Sequence, residues 1–325
     1  MIEVEGLTKD YGARRAIDNL TFNARKGEVL GFLGPNGAGK TTTMRILTGY
    51  MPPTQGVARI AGFDVVAESL EVRKRVGYLP ETVPLYPDMT VFDYLKFMAD
   101  LRKLQNAEDR VDEVLEIVHM EQRSEGYIAN LSKGMRQRIG IAQALLHQPD
   151  VMILDEPTIG LDPAQIIEVR NLIRHIGSER TVLLSTHILS EAQQLCDRVL
   201  IINKGRIVAE DTPERLQNRL TGAQRIAVRV LGDGDGLEQE VNKIPGIIRS
   251  HMLPDGGLEV EAPPGQDIRP ELARRVIKAG FDLLEMKSVG LSLEDIFMEL
   301  TREEPELPAT DDTEAEMIER AVDGR

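Results

Sequence analysis

The sequence reads Gly34-Pro35-Asn36-Gly37-Ala38-Gly39-Lys40-Thr41 at residues 34–41, a complete GxxxxGK(S/T) pattern that is followed by Thr42. An apolar run at 28–33 precedes it and suits a buried strand, and a helix-forming segment follows it. The glycines let the backbone curl around phosphate, so that successive N–H groups and the helix N-terminus point partial positive charge at the anion. Lys40 can bridge the terminal phosphates, and the Thr41 hydroxyl can ligate Mg²⁺. The pattern therefore predicts a nucleoside triphosphate site.

The composition is that of a globular protein whose acidity is concentrated at one end. The 325 residues suffice for about two domains, and 42% hydrophobic with 28% charged residues is ordinary for a folded chain. The formal net charge is −14, and residues 303–325 supply half of it, with nine acidic and two basic side chains. The rest of the chain shows no basic stripe of the kind that neutralises nucleic-acid phosphates. We therefore expect no nucleic-acid partner.

Cysteine usage and hydropathy bear on the compartment. The single cysteine, Cys196, excludes an intrachain disulfide and a multi-cysteine metal cluster, which fits a reducing environment. Residues 1–5 have neither the basic nor the apolar character of a signal peptide, and no apolar run approaches the ~18 residues of a membrane span. We expect a cytoplasmic protein without a transmembrane segment.

The alternation of apolar runs and helical periodicity predicts an α/β domain over residues 1–220. Apolar residues at helical spacing over 90–104 and 111–118 predict two helices, which form a compact insertion at about 82–135. The β-type runs outside the phosphate-binding region lie at 2–7, 17–23, 151–154, 181–185 and 199–203. The last three are each preceded by a helical segment, which favours a mostly parallel, buried core sheet flanked by helices.

The sequence changes character near residue 221. Six short segments follow in the order strand, helix, strand, strand, helix, strand, at 225–230, 237–244, 247–252, 258–261, 268–279 and 281–287. That order is typical of the split βαβ, ferredoxin-like fold, so we predict a small α+β C-terminal domain at 221–302. Residues 291–302 suit a closing helix, and the acidic tail at 303–325 has the composition of a disordered segment.

Two carboxylates follow the β-type run at 151–154. Asp155 and Glu156 stand directly at its end, a position that lets Asp155 hold the Mg²⁺ shell and Glu156 lie beside the γ-phosphate. There Glu156 can polarise an attacking water. The sequence thus predicts a Mg²⁺-dependent triphosphate chemistry for these two residues together with Thr41.

Three further features accompany them. Residues 131–138, Leu-Ser-Lys-Gly-Met-Arg-Gln-Arg, open a helix with the hydroxyl of Ser132 and with Gly134, which makes another anion-receptive N-terminus. Gly160-Leu161-Asp162 comes shortly after the two carboxylates. His187 directly follows the β-type run at 181–185.

Taken together, these motifs resemble the nucleotide-binding subunit of an ATP-binding cassette (ABC) transporter, over about residues 1–220. The resemblance implies a P-loop NTPase fold with a mostly parallel core sheet, a small antiparallel β subdomain and a helical insertion. It also implies ATP and Mg²⁺ as ligands and a dimer in which each subunit completes its partner's site. The implied roles are adenine stacking for Tyr11, general base for Glu156, γ-phosphate contact for His187, contact with the partner's nucleotide for Ser132 and Gly134, and a place in the loop joining the two sites for Asp162.

Two departures from the family pattern point to one branch of it. Lys133 stands where the signature usually has glycine, and Met135 replaces its glutamine. Glu81 occupies the position of a glutamine that senses Mg²⁺ and the membrane partner, so we expect Glu81 at the metal or in coupling. These variants resemble the ABC-2 exporter branch, which includes ATPases of the gliding-motility and multidrug-export type.

The leading hypothesis is therefore an ATPase subunit that dimerises around two ATP molecules and drives a separate ABC-2-type permease for export. Since both halves of a composite site are present, a homodimer suffices. Such a subunit is peripheral on the inner face of the cell membrane, held there by the permease.

Two alternatives belong to other functional classes. A soluble ABC ATPase acting on nucleic acid or ribosomes commonly carries two cassettes or a cysteine-rich insertion, and this sequence has neither. A nucleotide-dependent regulator would use residues 221–302 to bind a ligand or partner and would hydrolyse little ATP. For that C-terminal domain a dimer brace is the simpler interpretation.

Overall fold

The computed structural model describes residues 1–219, 224–232, 234, 236–253, 256–263 and 267–289. The predicted closing helix at 291–302, the tail at 303–325 and the domain boundary at 220/221 lie outside these residues. In chain order, the first domain contains β1 (Ile2–Tyr11), β2 (Arg14–Ala24), β3 (Val29–Leu33), α1 (Lys40–Leu47), β4 (Gln55–Ile60), β5 (Phe63–Asp64), α2 (Ser69–Arg75), β6 (Val76–Leu79), α3 (Val91–Leu101), α4 (Ala107–Ile117), α5 (Lys133–Leu145), β7 (Val151–Asp155), α6 (Pro163–Glu179), β8 (Thr181–Thr186), α7 (Leu189–Leu195), β9 (Arg198–Asn203), β10 (Arg206–Asp211) and α8 (Pro213–Arg219).

The central sheet has six strands in the order β10-β9-β3-β8-β7-β6. Every neighbouring pair from β9 to β6 is parallel, and only β10 runs antiparallel to its neighbour. All residues of β3, β7 and β8 are buried, as expected of parallel strands covered on both faces. The predicted mostly parallel core sheet is confirmed. Because parallel strands end at the same edge, the segments that follow β3, β7 and β8 meet there.

The two faces of the central sheet pack into different cores, as the side-chain period of two requires. Leu33 and Leu184 point into the core that the sheet shares with the helical insertion. Leu30 and Leu183 point into the opposite core, which contains α1 and the second sheet. That second sheet is antiparallel, in the order β2-β1-β4-β5, which confirms the small antiparallel β subdomain.

The helical insertion between β6 and β7 contains α3 and α4, as predicted. Thr90 caps α3, because its Oγ1 accepts a hydrogen bond from the Asp93 N–H at 3.1 Å. Tyr94 is buried on this helix and donates its hydroxyl to Gln143 Oε1 at 2.6 Å, which joins α3 to α5. The helix predicted over 90–104 ends at Leu101, because Lys103 has a left-handed backbone with φ of 56°.

The C-terminal elements are β11 (Gln224–Val230), α9 (Leu237–Val241), β12 (Arg249–Met252), β13 (Leu258–Ala262), α10 (Arg269–Lys278) and β14 (Leu283–Val289). Their order, strand, helix, strand, strand, helix, strand, agrees with the prediction. The strands form an antiparallel sheet in the order β12-β13-β11-β14. Leu237 and Leu272 from the two helices share one core with Ile226 and Val260 from the strands, so the helices cover one face of the sheet.

One partly buried histidine lies where the helical insertion meets the central sheet. His147 follows α5, and its Nε2 donates to the Val76 carbonyl oxygen at 2.9 Å, while Nδ1 is buried without a partner among the described residues. Burial lowers the pKa of His147 from 6.5 to about 4, and the positive charges of Arg102 and Arg110 add to the effect. The folded protein therefore keeps this imidazole neutral.

We predict that His147 makes the protein less stable in mild acid. The unfolded chain binds a proton near pH 6.5 and the folded chain only near pH 4, so the free energy of unfolding falls as the pH is lowered through that window. His147→Gln keeps a donor for the Val76 carbonyl and removes the titration. In urea unfolding, the free energy of unfolding should fall between pH 7.5 and pH 5.5 in both proteins, and it should fall by about 1 kcal/mol more in the wild type than in the variant. The exposed His175→Gln serves as control and should behave as the wild type; equal losses for wild type and His147→Gln would contradict the prediction.

Candidate functional site

A cleft of about 480 Å³ opens at the edge of the sheet where β3 gives way to α1. The phosphate-binding loop forms its floor, and residues from β1, from β2 and from the segment after β7 complete the walls. The lining residues are Tyr11, Arg14, Ala16, Pro35, Asn36, Gly37, Gly39, Lys40, Thr41, Thr42, Glu81, Glu156 and Ile159. Most of the residues predicted to bind nucleotide are therefore brought together in one cleft.

Two predicted loop residues lie behind the lining. Gly34 packs against the end of β9, where a Cβ would come 2.5 Å from the Ile202 carbonyl oxygen. Ala38 is buried and donates its N–H to the Pro35 carbonyl at 3.2 Å. Gly39 has φ of +108° and a Cβ there would lie 2.7 Å from the Ala16 carbonyl, so glycine is needed for this turn. Gly34 and Ala38 therefore shape the loop from behind the lining, whereas Gly39 shapes the turn and also lines the cleft.

Lys40 is buried inside the loop that it follows. Its Nζ donates to the Gly34 carbonyl at 2.7 Å and to the Pro35 carbonyl at 3.3 Å. The same Nζ lies 3.2 Å from Oε1 of Glu156, although that oxygen has no hydrogen bond of good geometry. The ammonium is thus held at the floor of the cleft beside the segment that follows β7.

Asp155 ends β7 with its side chain fully buried. Its Oδ1 accepts a hydrogen bond from Ser185 Oγ at 2.5 Å, while Oδ2 is buried without a partner among the described residues. Burial raises the pKa of Asp155, and hydrogen bonds from Ser185 and Thr41 oppose that rise. An unpartnered carboxylate oxygen beside a threonine hydroxyl is a donor set that fits Mg²⁺.

No cluster of three acidic, histidine or cysteine side chains suited to a metal occurs in the described part of the chain. A Mg²⁺ ion at Asp155 and Thr41 would therefore complete its shell with phosphate oxygens and water, as this ion commonly does.

Glu156 adopts an uncommon backbone conformation immediately after β7. Its φ is 49°, and its N–H donates to both the carbonyl oxygen of Ser185, at 3.2 Å, and the Ser185 hydroxyl, at 3.0 Å. Such a conformation persists in a non-glycine residue only where its surroundings enforce it. Oε2 of Glu156 lies 2.8 Å from Nδ1 of His187, so the structure brings together two residues that are 31 positions apart. His187 does not line the cleft itself but reaches it through Glu156.

Tyr11 lies at the outer end of the cleft, with 46% of its surface exposed. Its hydroxyl donates to Met51 Sδ at 3.0 Å, and the Lys9 ammonium lies 5.6 Å from its ring centre. Glu81, two residues after β6, is exposed and lines the same cleft. Both residues are therefore accessible to a ligand in this cleft.

Ser132, Gly134 and Asp162 form a separate group, and none of them lines the cleft in the same chain. Ser132 caps α5 by accepting from the Met135 N–H at 3.2 Å, and Asp162 caps α6 by accepting from the Gln165 N–H at 3.0 Å. The Gln165 amide donates to Ser132 Oγ at 3.4 Å and so connects the two helix starts. The structure therefore places these three residues next to each other and outside the cleft of their own chain.

Comparison with known proteins agrees with this geometry. The family model described as ABC transporter matches residues 17–159. The chain is 36% identical over 312 residues to the bacitracin transport ATP-binding protein BcrA of Bacillus licheniformis, covering 92% of this chain and 97% of the relative. It is 34% identical over 308 residues to the Nod factor export ATP-binding protein I of Cupriavidus metallidurans, covering 94% and 98%. The chain belongs to the ATP-binding subunits of ABC transporters.

A solved structure of an ATP-binding subunit of an ABC transporter shares the fold of this ABC subunit. The two superpose with a TM-score of 0.61 at 33% identity, over 67% of this chain and 92% of the other. Proteins of this family bind and hydrolyse ATP, dimerise and work with a membrane permease, so this ABC subunit is an ATPase that powers transport. In its described part, no helix is both long and apolar enough to cross a bilayer.

The sequence analysis missed four residues of the ABC subunit's site. Arg14, Ala16 and Ile159 line the cleft, and Ser185 holds both Asp155 and the backbone of Glu156. Arg14 stands three residues after Tyr11, and a basic side chain so close to the candidate adenine-stacking residue was a usable signal. Ser185 gave no such signal, because its importance comes from the pairing of β7 with β8.

Proposed function

We propose that each subunit binds ATP in this cleft, with its adenine on Tyr11 and its phosphates in the loop at 34–41. The supporting observation is the arrangement of Lys40, Glu156 and His187 around one point, with Glu156 within 3.2 Å of Lys40 and 2.8 Å of His187. In this proposal Lys40 turns from Glu156 to the terminal phosphates, and the released carboxylate accepts a proton from the attacking water. His187 then orients Glu156 and contacts the γ-phosphate.

In the same proposal, Thr41 and Asp155 are the residues that would hold a Mg²⁺ ion. When bound there, the ion neutralises charge that develops on the phosphate oxygens. Asp155 contributes its unpartnered Oδ2, which Ser185 fixes by its hydrogen bond to Oδ1. Because this buried oxygen has no hydrogen-bond partner among the described residues, a cation would stabilise it, and the site favours a metal-bound nucleotide.

We further propose that two copies of the chain form a homodimer around two ATP molecules. Ser132, Gly134 and Asp162 lie outside the cleft of their own chain, yet Ser132 is the N-cap of a 13-residue helix whose N-terminus attracts anions. In the proposed dimer these residues contact the nucleotide that the partner's loop holds. ATP then acts as part of the interface, and its hydrolysis releases the two subunits.

We expect Glu156→Gln to abolish turnover while ATP still binds, which traps the closed dimer. Size-exclusion chromatography with ATP should show this dimer. Adding Ser132→Arg to the same variant should prevent dimerisation through steric overlap and leave ATP affinity within about threefold, because the cleft of each chain is intact. Ser178→Arg, at the exposed end of α6, is the matched control and should dimerise normally.

Two outcomes would contradict this assignment. Undiminished hydrolysis by Glu156→Gln removes Glu156 from the role of general base. A dimer that forms equally well with Ser132→Arg shows that the start of α5 does not face the partner's nucleotide.

We propose that Glu81 senses the metal site. It lines the cleft that contains Thr41 and Lys40, and its carboxylate adds negative charge where the family usually has a glutamine. Because an added negative charge strengthens the attraction for a cation, Glu81→Gln should lower the apparent affinity for Mg²⁺ in the presence of ATP by about threefold to tenfold. Magnesium titrations of a fluorescent ATP analogue measure this. The same Mg²⁺ affinity in both proteins would exclude Glu81 from the metal shell and leave coupling as its role.

We propose that the membrane partner is an ABC-2-type permease and that the direction of transport is export. Full-length similarity to an ATP-binding subunit named for Nod factor export supports the direction. The variants at Glu81 and Lys133 support the branch. This arrangement places the chain at the cytoplasmic face of the membrane through its permease.

Purification of the tagged chain from its native membranes should therefore recover a multispanning membrane protein. The recovered complex should hydrolyse ATP, and the same complex carrying Ser132→Arg should not. Recovery of ribosomes or DNA without a membrane protein would favour a soluble ABC ATPase. A complex that binds ATP with negligible hydrolysis would favour a nucleotide-dependent regulator.

A further inference from the structure

One buried carboxylate next to the site has no part in the proposed chemistry. Glu191 lies in the first turn of α7 with 1% of its surface exposed. Its Oε2 accepts two hydrogen bonds, from Thr158 Oγ1 at 2.7 Å and from Thr186 Oγ1 at 3.1 Å. Burying a charged carboxylate is costly unless donors compensate it, so this arrangement demands both hydroxyl groups.

The two donors flank the two residues that are proposed to act on ATP. Thr158 follows Glu156 by two positions, in the turn where the Ile159 N–H donates to the Glu156 carbonyl at 3.2 Å. Thr186 directly precedes His187. One oxygen of Glu191 therefore joins the segment that carries Glu156 to the segment that carries His187.

Thr186 also fixes the backbone on the other side of His187. Its Oγ1 accepts from the Ile188 N–H at 2.9 Å while donating to Glu191, so the residues before and after the histidine are held by one hydroxyl. On the other side of the carboxylate, Arg170 of α6 lies 4.0 Å from Oε1. Glu191 thus has a fixed position relative to α6, to the turn after Glu156 and to the end of β8.

We propose that Glu191 is a positioning residue for ATP hydrolysis, which holds Glu156 and His187 at hydrogen-bonding distance through Thr158 and Thr186. This inference rests on the proposed roles of Glu156 and His187. Loss of either hydroxyl lets one segment shift relative to the other and lengthens the 2.8 Å contact between the two side chains. ATP binding is unaffected, since Lys40 and Tyr11 are held by other elements.

The test compares three nearly isosteric variants in the full-length protein. Thr158→Val and Thr186→Val each remove one donor to Glu191 and should lower kcat about tenfold while leaving KM for ATP within about twofold. Thr181→Val is the matched control, because Thr181 is a buried, hydrogen-bonded threonine at the opposite end of the same strand, β8. It should lower the melting temperature as the others do and leave kcat unchanged. Thr186→Ser keeps the hydroxyl and should restore kcat.

A second measurement does not depend on turnover. In the nucleotide-free protein, the imidazole ¹⁵N resonances of His187 report on its hydrogen bond to Glu156. They should move in Thr158→Val and Thr186→Val and stay in place in Thr181→Val. His187→Ala assigns these signals among the five histidines of the chain.

Glu156→Gln, measured in parallel, distinguishes a failure of the proposed function from a failure of the positioning role of Glu191. If Glu156→Gln still hydrolyses ATP at the wild-type rate, the proposed function of the site fails. If Glu156→Gln is inactive but Thr158→Val and Thr186→Val match Thr181→Val in kcat and in the His187 resonances, the positioning role of Glu191 is overturned and the proposed function stands.

Discussion

The site depends on the parallel register of β3, β7 and β8. In that register Asp155 is paired with Ser185 and Leu33 with Thr186, so the three strands end within one residue of each other. The strands are buried on both faces, and a slip by one residue would exchange the side chains between the two cores. The register of these buried strands therefore sets where the phosphate-binding loop lies relative to the ends of β7 and β8, from which Glu156 and His187 follow.

The charges collected at this edge are not balanced within the described part of the chain. Asp155, Glu156 and Glu191 are all buried, whereas the lysine and arginine side chains of the described residues that lie within 4.0 Å of any of them are two, Lys40 and Arg170. Burial raises the pKa of Asp155, which expresses the free-energy cost of its charge in this place. The divalent cation proposed for this site would offset that cost, and it would also allow a polyanionic nucleotide to approach two carboxylates. Metal and nucleotide are thus expected to bind together, because each reduces the electrostatic cost of the other.

How far the site could be predicted from the sequence depends on whether its parts are contiguous. The loop at 34–41 is one stretch, so its chemistry was readable, although not the fact that Gly34 and Ala38 pack behind the cleft. The family resemblance implied a role for Glu156 and a role for His187, but their direct contact was not predicted, since 31 residues separate them. Ser185 and Glu191 escaped prediction, because their partners are fixed by strand pairing and helix packing, which leave no local pattern.

The departure at Lys133 shows how one unusual residue is accommodated by another element. A lysine in place of the usual glycine adds positive charge at the start of α5. The Lys133 side chain lies over Gly160, which has φ of +67°, and a Cβ at that glycine would overlap the ammonium. The absence of a side chain at Gly160 therefore creates the space that the lysine occupies. Since Gly160 belongs to the loop that leads to Asp162, the Lys133 side chain lies against that loop, and the Gln165 amide joins the two helix starts by its hydrogen bond to Ser132. The two parts of the chain that are proposed to face the partner's nucleotide therefore lie side by side.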